Sequence, residues 1–357
     1  MQVYTSLALF LAALSTPRTN AYFSAKPGST QTASSPSDNA KYTKQWTLQQ
    51  NTKNDAINAI GLDLAGTVFV SHVDGLPTGV LGYVNVTGDS QAIVNTITVR
   101  NDNAKLNNHK HGVLNVTTAT APNEGYLLTE VFLSESSLIS VVETHRSAQV
   151  VIEKGTIITD NKGSDLVVEA SGSSAVYVSD ASAELNVADL VMEASGNANI
   201  YLQVASVTTK EVTLESRDSA AISVLTSSLE MAGDAVLETQ GSGTICTSAK
   251  QVTVAGDYVG ESASGISMPN ASDKHDATGT LACDTVTLPA RKPASVAGGA
   301  TSSASGLPTS TVKENSASLS DGNSDEEHSE STSSAAGLCA LEVGSVITFV
   351  FTVIGLL

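Results

Sequence analysis

The feature that most constrains this chain is a repeat of about two dozen residues. Leu166-Val167-Val168-Glu169-Ala170-Ser171-Gly172 recurs as Leu190-Val191-Met192-Glu193-Ala194-Ser195-Gly196. Shorter copies follow at Val212-Thr213-Leu214-Glu215-Ser216 and Ala235-Val236-Leu237-Glu238-Thr239. One glutamate marks each copy, at Glu143, Glu169, Glu193, Glu215, Glu238 and Glu261, in steps of 26, 24, 22, 23 and 23 residues. A period of this length is the mark of stacked units, each too small to bury a hydrophobic face alone.

An apolar residue falls seven places after each glutamate: Val150, Val176, Ile200, Ile222, Ile245 and Met268. Another apolar pair follows, as at Leu185/Val187, Leu229/Met231 and Val252/Val254. Each repeat thus holds three alternating runs, separated by Gly, Ser, Asp or Asn, which predicts three half-buried strands joined by turns. Gly172, Gly196 and Gly241 supply tight turns. The expected fold is all-β, a right-handed parallel β-helix with coils of about 22–26 residues. A thin core of small aliphatics suits a chain with only 4% aromatic residues. A β-sandwich is the competing fold, but its strands would not share one register of repeated residue types. Residues 46 to about 135 repeat less clearly. Ile60-Gly61-Leu62-Asp63-Leu64 and Gly82-Tyr83-Val84-Asn85-Val86 still alternate as strands, so this part reads as opening coils or as a cap over the exposed edge.

Gly61-Leu62-Asp63-Leu64-Ala65-Gly66-Thr67-Val68, Gly82-Tyr83-Val84-Asn85-Val86-Thr87-Gly88-Asp89 and the later Glu-Ala-Ser-Gly repeats together resemble the auto-transporter adhesin head GIN domain family. The resemblance covers about residues 46–290 and implies a β-helix-like stack. It carries over no catalytic residues, and the chain departs from it in its two ends.

Those ends read as address labels. Residues 1–21 carry an apolar stretch, Leu7 to Leu14, followed by Thr19-Asn20-Ala21, which is the pattern of a cleaved secretory signal. At the other end Val346–Leu357 is apolar, and eleven residues separate it from Ser334 in the small run Ser333-Ser334-Ala335-Ala336-Gly337. Small site, spacer and terminal apolar tail form a GPI-attachment signal over 335–357, with Ser334 or Ser333 as the attachment residue. A transmembrane helix over Leu338–Leu357 is the competing reading. Between 291 and 334 the chain reads as a stalk: 17 of the 40 residues from Ser295 to Ser334 are Ser or Thr. Such a segment has too little to bury to offset its ordering entropy. Residues 22–45, Ser/Thr-rich as well, read as a disordered arm, leaving 46–290 as the head.

Removal of the tail would discard Cys339 and leave Cys246 and Cys283, a disulfide pair in an oxidising compartment or two buried free thiols. Asn85-Val86-Thr87, Asn115-Val116-Thr117 and Asn270-Ala271-Ser272 are N-glycosylation sequons for a secreted chain.

The 36 acidic residues against 18 basic ones, a net charge of -18, exclude nucleic acid as a partner, since a polyanion needs clustered Lys and Arg. Lys154, Lys162, Lys210, Arg217 and Lys250 fall at scattered repeat positions and converge on nothing, so no enzyme is expected. Carboxylates stacked about 4.8 Å apart repel unless they splay, take up protons or share cations. Calcium suits such oxygens, yet the motif lacks the Gly-Gly-x-Gly-x-Asp pattern of calcium coils. A solvated face is the simpler account, and no cofactor is expected. His109-Lys110-His111 offers too few ligands for zinc and reads as a solvent loop, and His145 as polar surface. The expected function is structural or adhesive: a glycoprotein on the extracellular face of the plasma membrane or wall, held by its lipid anchor only. Its partner would be a glycan, a wall polymer or a surface protein. A polysaccharide-active enzyme on the same scaffold and a secreted effector are the alternatives.

Overall fold

The structure is a computed structural model that describes residues 23–296, apart from 103–104, 107–108, 111, 120–123, 261–263, 272–278, 280–281 and 284–285. Its organising element is a β-solenoid of about five turns. The marker glutamates sit on one face, in the parallel strands Val141–Arg146, Leu166–Ala170, Asp189–Ala194, Glu211–Ser216 and Ala235–Thr239. Glu143, Glu169, Glu193, Glu215 and Glu238 are direct cross-strand partners in unbroken succession. The sequence repeat is therefore the coil repeat. Glu261 lies outside the described residues.

A second face carries Gln149–Ile152, Ala221–Leu225, Thr244–Ser248 and the first halves of Ala175–Val187 and Asn199–Thr209. The later halves of those two long strands bend onto a third face with Ser228–Met231 and Gln251–Val254. The bend falls at the register shift between Asp180 and Glu184. Inside, like stacks on like: Val150, Val176, Ile200, Ile222 and Ile245 form one in-register column, all buried. The sequence spacing extends this column to Met268, but the structure continues it with Ile266. The final coil is shorter, so Met268, also buried, falls two residues beyond the column.

Corners obey the same register. Three residues after each glutamate the backbone is left-handed, at Arg146 (φ 69°), Gly172 (76°), Gly196 (76°), Asp218 (62°) and Gly241 (72°). The backbone carbonyl of each of the first four accepts an N–H from the next coil, for example Asn197 to Gly172 at 2.7 Å. A Cβ on Gly196 would lie 2.8 Å from the Gly172 carbonyl oxygen, so glycine is needed there for both space and backbone conformation.

The N-terminal part is both coils and cap. Ala59–Leu64 and Thr67–His72 stack in parallel on Val141–Arg146 and Gln149–Ile152. On their other side lie Val113–Thr118 and Tyr126–Leu133, again parallel. The coil that comes later in sequence is thus the outer one. It is closed by antiparallel strands, Val80–Gly88 on Tyr126–Leu133 and Ile97–Asp102 on Val113–Thr118. The short helix Gln91–Asn95, capped by the Ser90 side chain, buries Ile93 and Val94 there.

Two expected boundaries are corrected. Residues 23–45 are no disordered arm: Phe23–Pro27 and Gln31–Ser37 both pair antiparallel with Ala40–Gln50, and Phe23 is fully buried. Gln31–Ser37 is polar on both faces and lies almost wholly exposed, so its order comes from backbone pairing, which composition does not register. Residues 291–296 belong to the head, not the stalk, because Ala294–Ser295 pairs with Tyr126 and Leu127. Residues 1–22 and 297–357, with Ser333, Ser334 and the two address segments, lie outside the described residues. No helix among the described residues is long and apolar enough to cross a membrane.

Replacing Gly196 by Ala should lower unfolding stability by about 1–2 kcal/mol, the usual penalty for forcing an L-residue into this conformation, with some further loss from the close carbonyl. Urea denaturation followed by circular dichroism measures it; an unchanged midpoint would show that the corner column relaxes freely.

Candidate functional site

Alternation along the glutamate strands sends Glu169 outward with Val167 and Asp165 before it. Stacking extends each of these positions into a stripe. The first is the glutamate ladder. The second is aliphatic: Val113, Ala59, Val141, Val167 and Val191 are successive partners, followed by Thr213, Val236 and Val259. It is buried at its capped end, where Ala59, Val113 and Val141 pack together, and reaches 45% exposure at Val259. The third is a second acidic column four residues before each glutamate from Glu169 onward, at Asp165, Asp189, Glu211, Asp234 and Asp257. Asp189 and Glu211 are direct partners, and the Asp257 N–H donates to Asp234 Oδ1 at 2.9 Å. The offset of four was present in the repeat all along, hidden because the column uses Asp at four positions and Glu at one instead of the marker glutamate. An aliphatic stripe therefore runs between two acidic ladders.

Beyond the glutamates, a shallow depression is lined by His145, Glu169, Ser171, Glu193, Glu215 and Arg217. His145 Nδ1 lies 2.7 Å from Ser171 Oγ. Arg217 pairs with Glu215, and Arg146 makes a two-point contact with Asp63, at 2.5 and 3.1 Å. Lys210 pairs with Glu211 at 2.7 Å. Of the cations read in sequence as scattered, Lys210 and Arg217 thus act locally, each on a neighbouring carboxylate, while Lys154 donates to Ser182 Oγ at 2.8 Å. Glu169 has only like charges above and below it. Burial, and then the Glu143 and Glu193 charges, raise its pKa from 4.5 to about 7. Burial likewise raises Asp189, with Asp165 and Glu211 adding to the shift.

What this arrangement can do is limited by its geometry. Hydrolysis of a glycosidic bond needs two carboxyl groups facing each other across a substrate, whereas these lie in lines on one sheet face. Among the described residues no group of three or more His, Cys, Asp or Glu is placed to hold a metal ion. His109 and Lys110 form a two-residue strand against Lys105–Leu106, while His111 lies outside the described residues.

The other sequence-derived positions fall elsewhere. Cys246 and Cys283 are joined as a disulfide, their Cα atoms 5.4 Å apart. Asn115 stands at the capped end of the glutamate ladder, opposite Gly61, with its amide donating to Asp102. Asn85 accepts from Gln45 at 2.8 Å, and Asn270 donates to Ser248 Oγ at 2.6 Å.

No family model matches the chain, and no curated protein matches it. Among solved structures it is similar to a protein described as a "putative adhesin" from Bacteroides fragilis, at 16% identity and a TM-score of 0.38, over 61% of this chain and 94% of that one. A second, from Parabacteroides merdae and described in the same words, has 13% identity and a TM-score of 0.38 over 61% and 92%. A third, from Parabacteroides distasonis, has 13% identity and a TM-score of 0.37 over 63% and 95%.

Because folded Glu169 holds its proton up to about pH 7 and the unfolded residue only to about 4.5, the folded state binds more protons between these values. Stability should therefore fall as pH rises from about 4.5 to about 7 and level off above. Glu169→Gln should remove this part of the slope and raise the melting temperature at pH 8. Thermal melts of both proteins from pH 4 to 8 test this; parallel curves would show that folding does not raise the Glu169 pKa.

Proposed function

We propose that the chain is a secreted, glycosylated surface protein whose β-solenoid head makes adhesive or structural contact with a partner through the outer face of its glutamate strands. The observation that carries this reading is the valine stripe flanked by two acidic ladders on an open sheet face. Repetition at every coil gives many weak contacts in one line, which suits adhesion better than capture of a small ligand. A partner complementary to it presents an apolar ridge with positive charge or hydrogen-bond donors on both sides. Among glycans, wall polymers and surface proteins, that chemistry favours a basic surface protein. A glycan on Asn115 would crowd only the capped end of the ladder and leave Glu169 to Glu238 open. The secretory signal, the Ser/Thr-rich stalk and the GPI anchor complete the reading, with the head held outside the cell on a lipid.

Two measurements test it. Phosphatidylinositol-specific phospholipase C should release the protein from expressing cells, whereas retention would point to a membrane-spanning tail. Binding of the labelled protein to target surfaces should weaken with added salt, and Glu193→Lys should reduce it at least tenfold, about 1.4 kcal/mol. Unchanged binding by that variant would remove the ladder face from the contact.

A further inference from the structure

A column on the second face is outward-pointing yet covered. Phe69, Val151, Tyr177, Tyr201, Ser223 and Cys246 are successive cross-strand partners, on the side of the sheet away from the solenoid core. Outward residues on the same strands, such as Gln149 and Gln203, are exposed. Within the column, however, Phe69 is 5% exposed, Val151 2%, Tyr201 8% and Ser223 4%. What covers them is fixed at both ends. At one end Cys283 is bonded to Cys246. At the other, Arg291 lies 4.5 Å over the Phe69 ring and pairs with Glu130 at 2.9 Å and Glu153 at 2.6 Å, its second nitrogen also donating to Ser71 at 3.2 Å. Burial opposes the charge on Arg291, but its bonds to Glu153 and Glu130 outweigh this and raise its pKa.

The lengths agree. From Cys246 to Phe69 is five strand spacings, about 24 Å. The eight residues from Cys283 to Arg291 reach about 26 Å when extended. The chain thus returns across the stack and leaves it beside Tyr126–Leu133, where Ala294–Ser295 pairs and the Val296 N–H donates to Gly125 at 2.9 Å. Among the described residues, the last coils pair over short stretches: Ile266–Ser267 with two residues of the coil before it and Tyr258–Gly260 with three.

We propose that residues 286–296 form a latch that carries mechanical force. Tension arriving from the chain beyond residue 296 enters the stack at Arg291 and the strand Tyr126–Leu133, so the last coils are not peeled one by one. The disulfide is the second stop: once the latch opens, load passes through Cys283 to Cys246 and bypasses residues 247–282. The proposal rests on the tethered reading only for the source of the tension, and a pulling experiment supplies its own.

The test is single-molecule force spectroscopy on the full chain carrying Cys246→Ser and Cys283→Ser, held at its two ends. The wild-type chain reduced by a dithiol, which leaves both cysteines as thiols, substitutes if that variant does not fold. With Arg291 intact, coil-sized extensions of about 80 Å, some 23 residues, should begin only after a first rupture at higher force. Arg291→Ala should abolish that first rupture and let coils peel at low force, and Glu130→Gln with Glu153→Gln should do the same from the other side of the contact. Force traces indistinguishable with and without Arg291 would overturn the proposal, whatever the outcome of the binding measurements.

Discussion

Hydrogen bonding between parallel, in-register coils is the constraint on which the rest of the structure depends. It sets each residue about 4.8 Å from its counterpart in the next coil, so whatever type the repeat holds is stacked on itself. Inside, this is harmless, because Val, Ile and Leu columns pack well. At corners it fixes one backbone conformation for a whole column, which four successive carbonyls then bond. Outside, the same geometry has both signs. Tyr177 and Tyr201 stack with ring centroids 5.2 Å apart and planes within 5°, an arrangement that contributes about 0.5–1.5 kcal/mol in such pairs. Glutamates stacked the same way repel by about 1 kcal/mol per pair even in water, and more where burial thins the solvent.

Local periodicity made the regular coils legible. The step between glutamates was the coil length, the apolar residue seven places on was a buried column, and Gly172, Gly196 and Gly241 marked real corners. At Arg146 and Asp218 the same corner is turned without glycine, so composition alone could not follow the column through. The second acidic ladder escaped notice for a related reason. Its members share a repeat position and a charge but not a residue type, and a search for identical residues passes over it.

The parts that the sequence did not disclose are those made by contacts distant along the chain. Coil order in the N-terminal part is permuted, with Val113–Thr118 stacked outside Ala59–Leu64, and no short-range pattern encodes which side a strand will join. Gln31–Ser37 has no apolar alternation because both its faces meet water. Arg291 sits in a short polar stretch that resembles the stalk after it, and its role is created by Phe69, Glu130 and Glu153, all more than a hundred residues earlier. Cysteine arithmetic pointed to the Cys246–Cys283 pair but not to the segment that the bond holds down.

The acidic ladders still need a physical reason, because the fold does not need them. Thr213 and Ser223 show that uncharged polar residues stack on an outer face without repulsion. One reason for acids is protection of the open end: a second molecule adding its own coil there would set like charges in register, which discourages end-to-end growth. That accounts for the members nearest the last coil. It does not account for Glu169, which lies in the middle of the stack between Glu143 and Glu193 and whose carboxyl is pushed up to about 7. A charge held at a cost where no edge is exposed is better explained by what the face meets than by what the ends avoid. The aliphatic stripe beside it points the same way, since a surface shaped only for solubility would not leave Val259 45% exposed next to two rows of carboxylates.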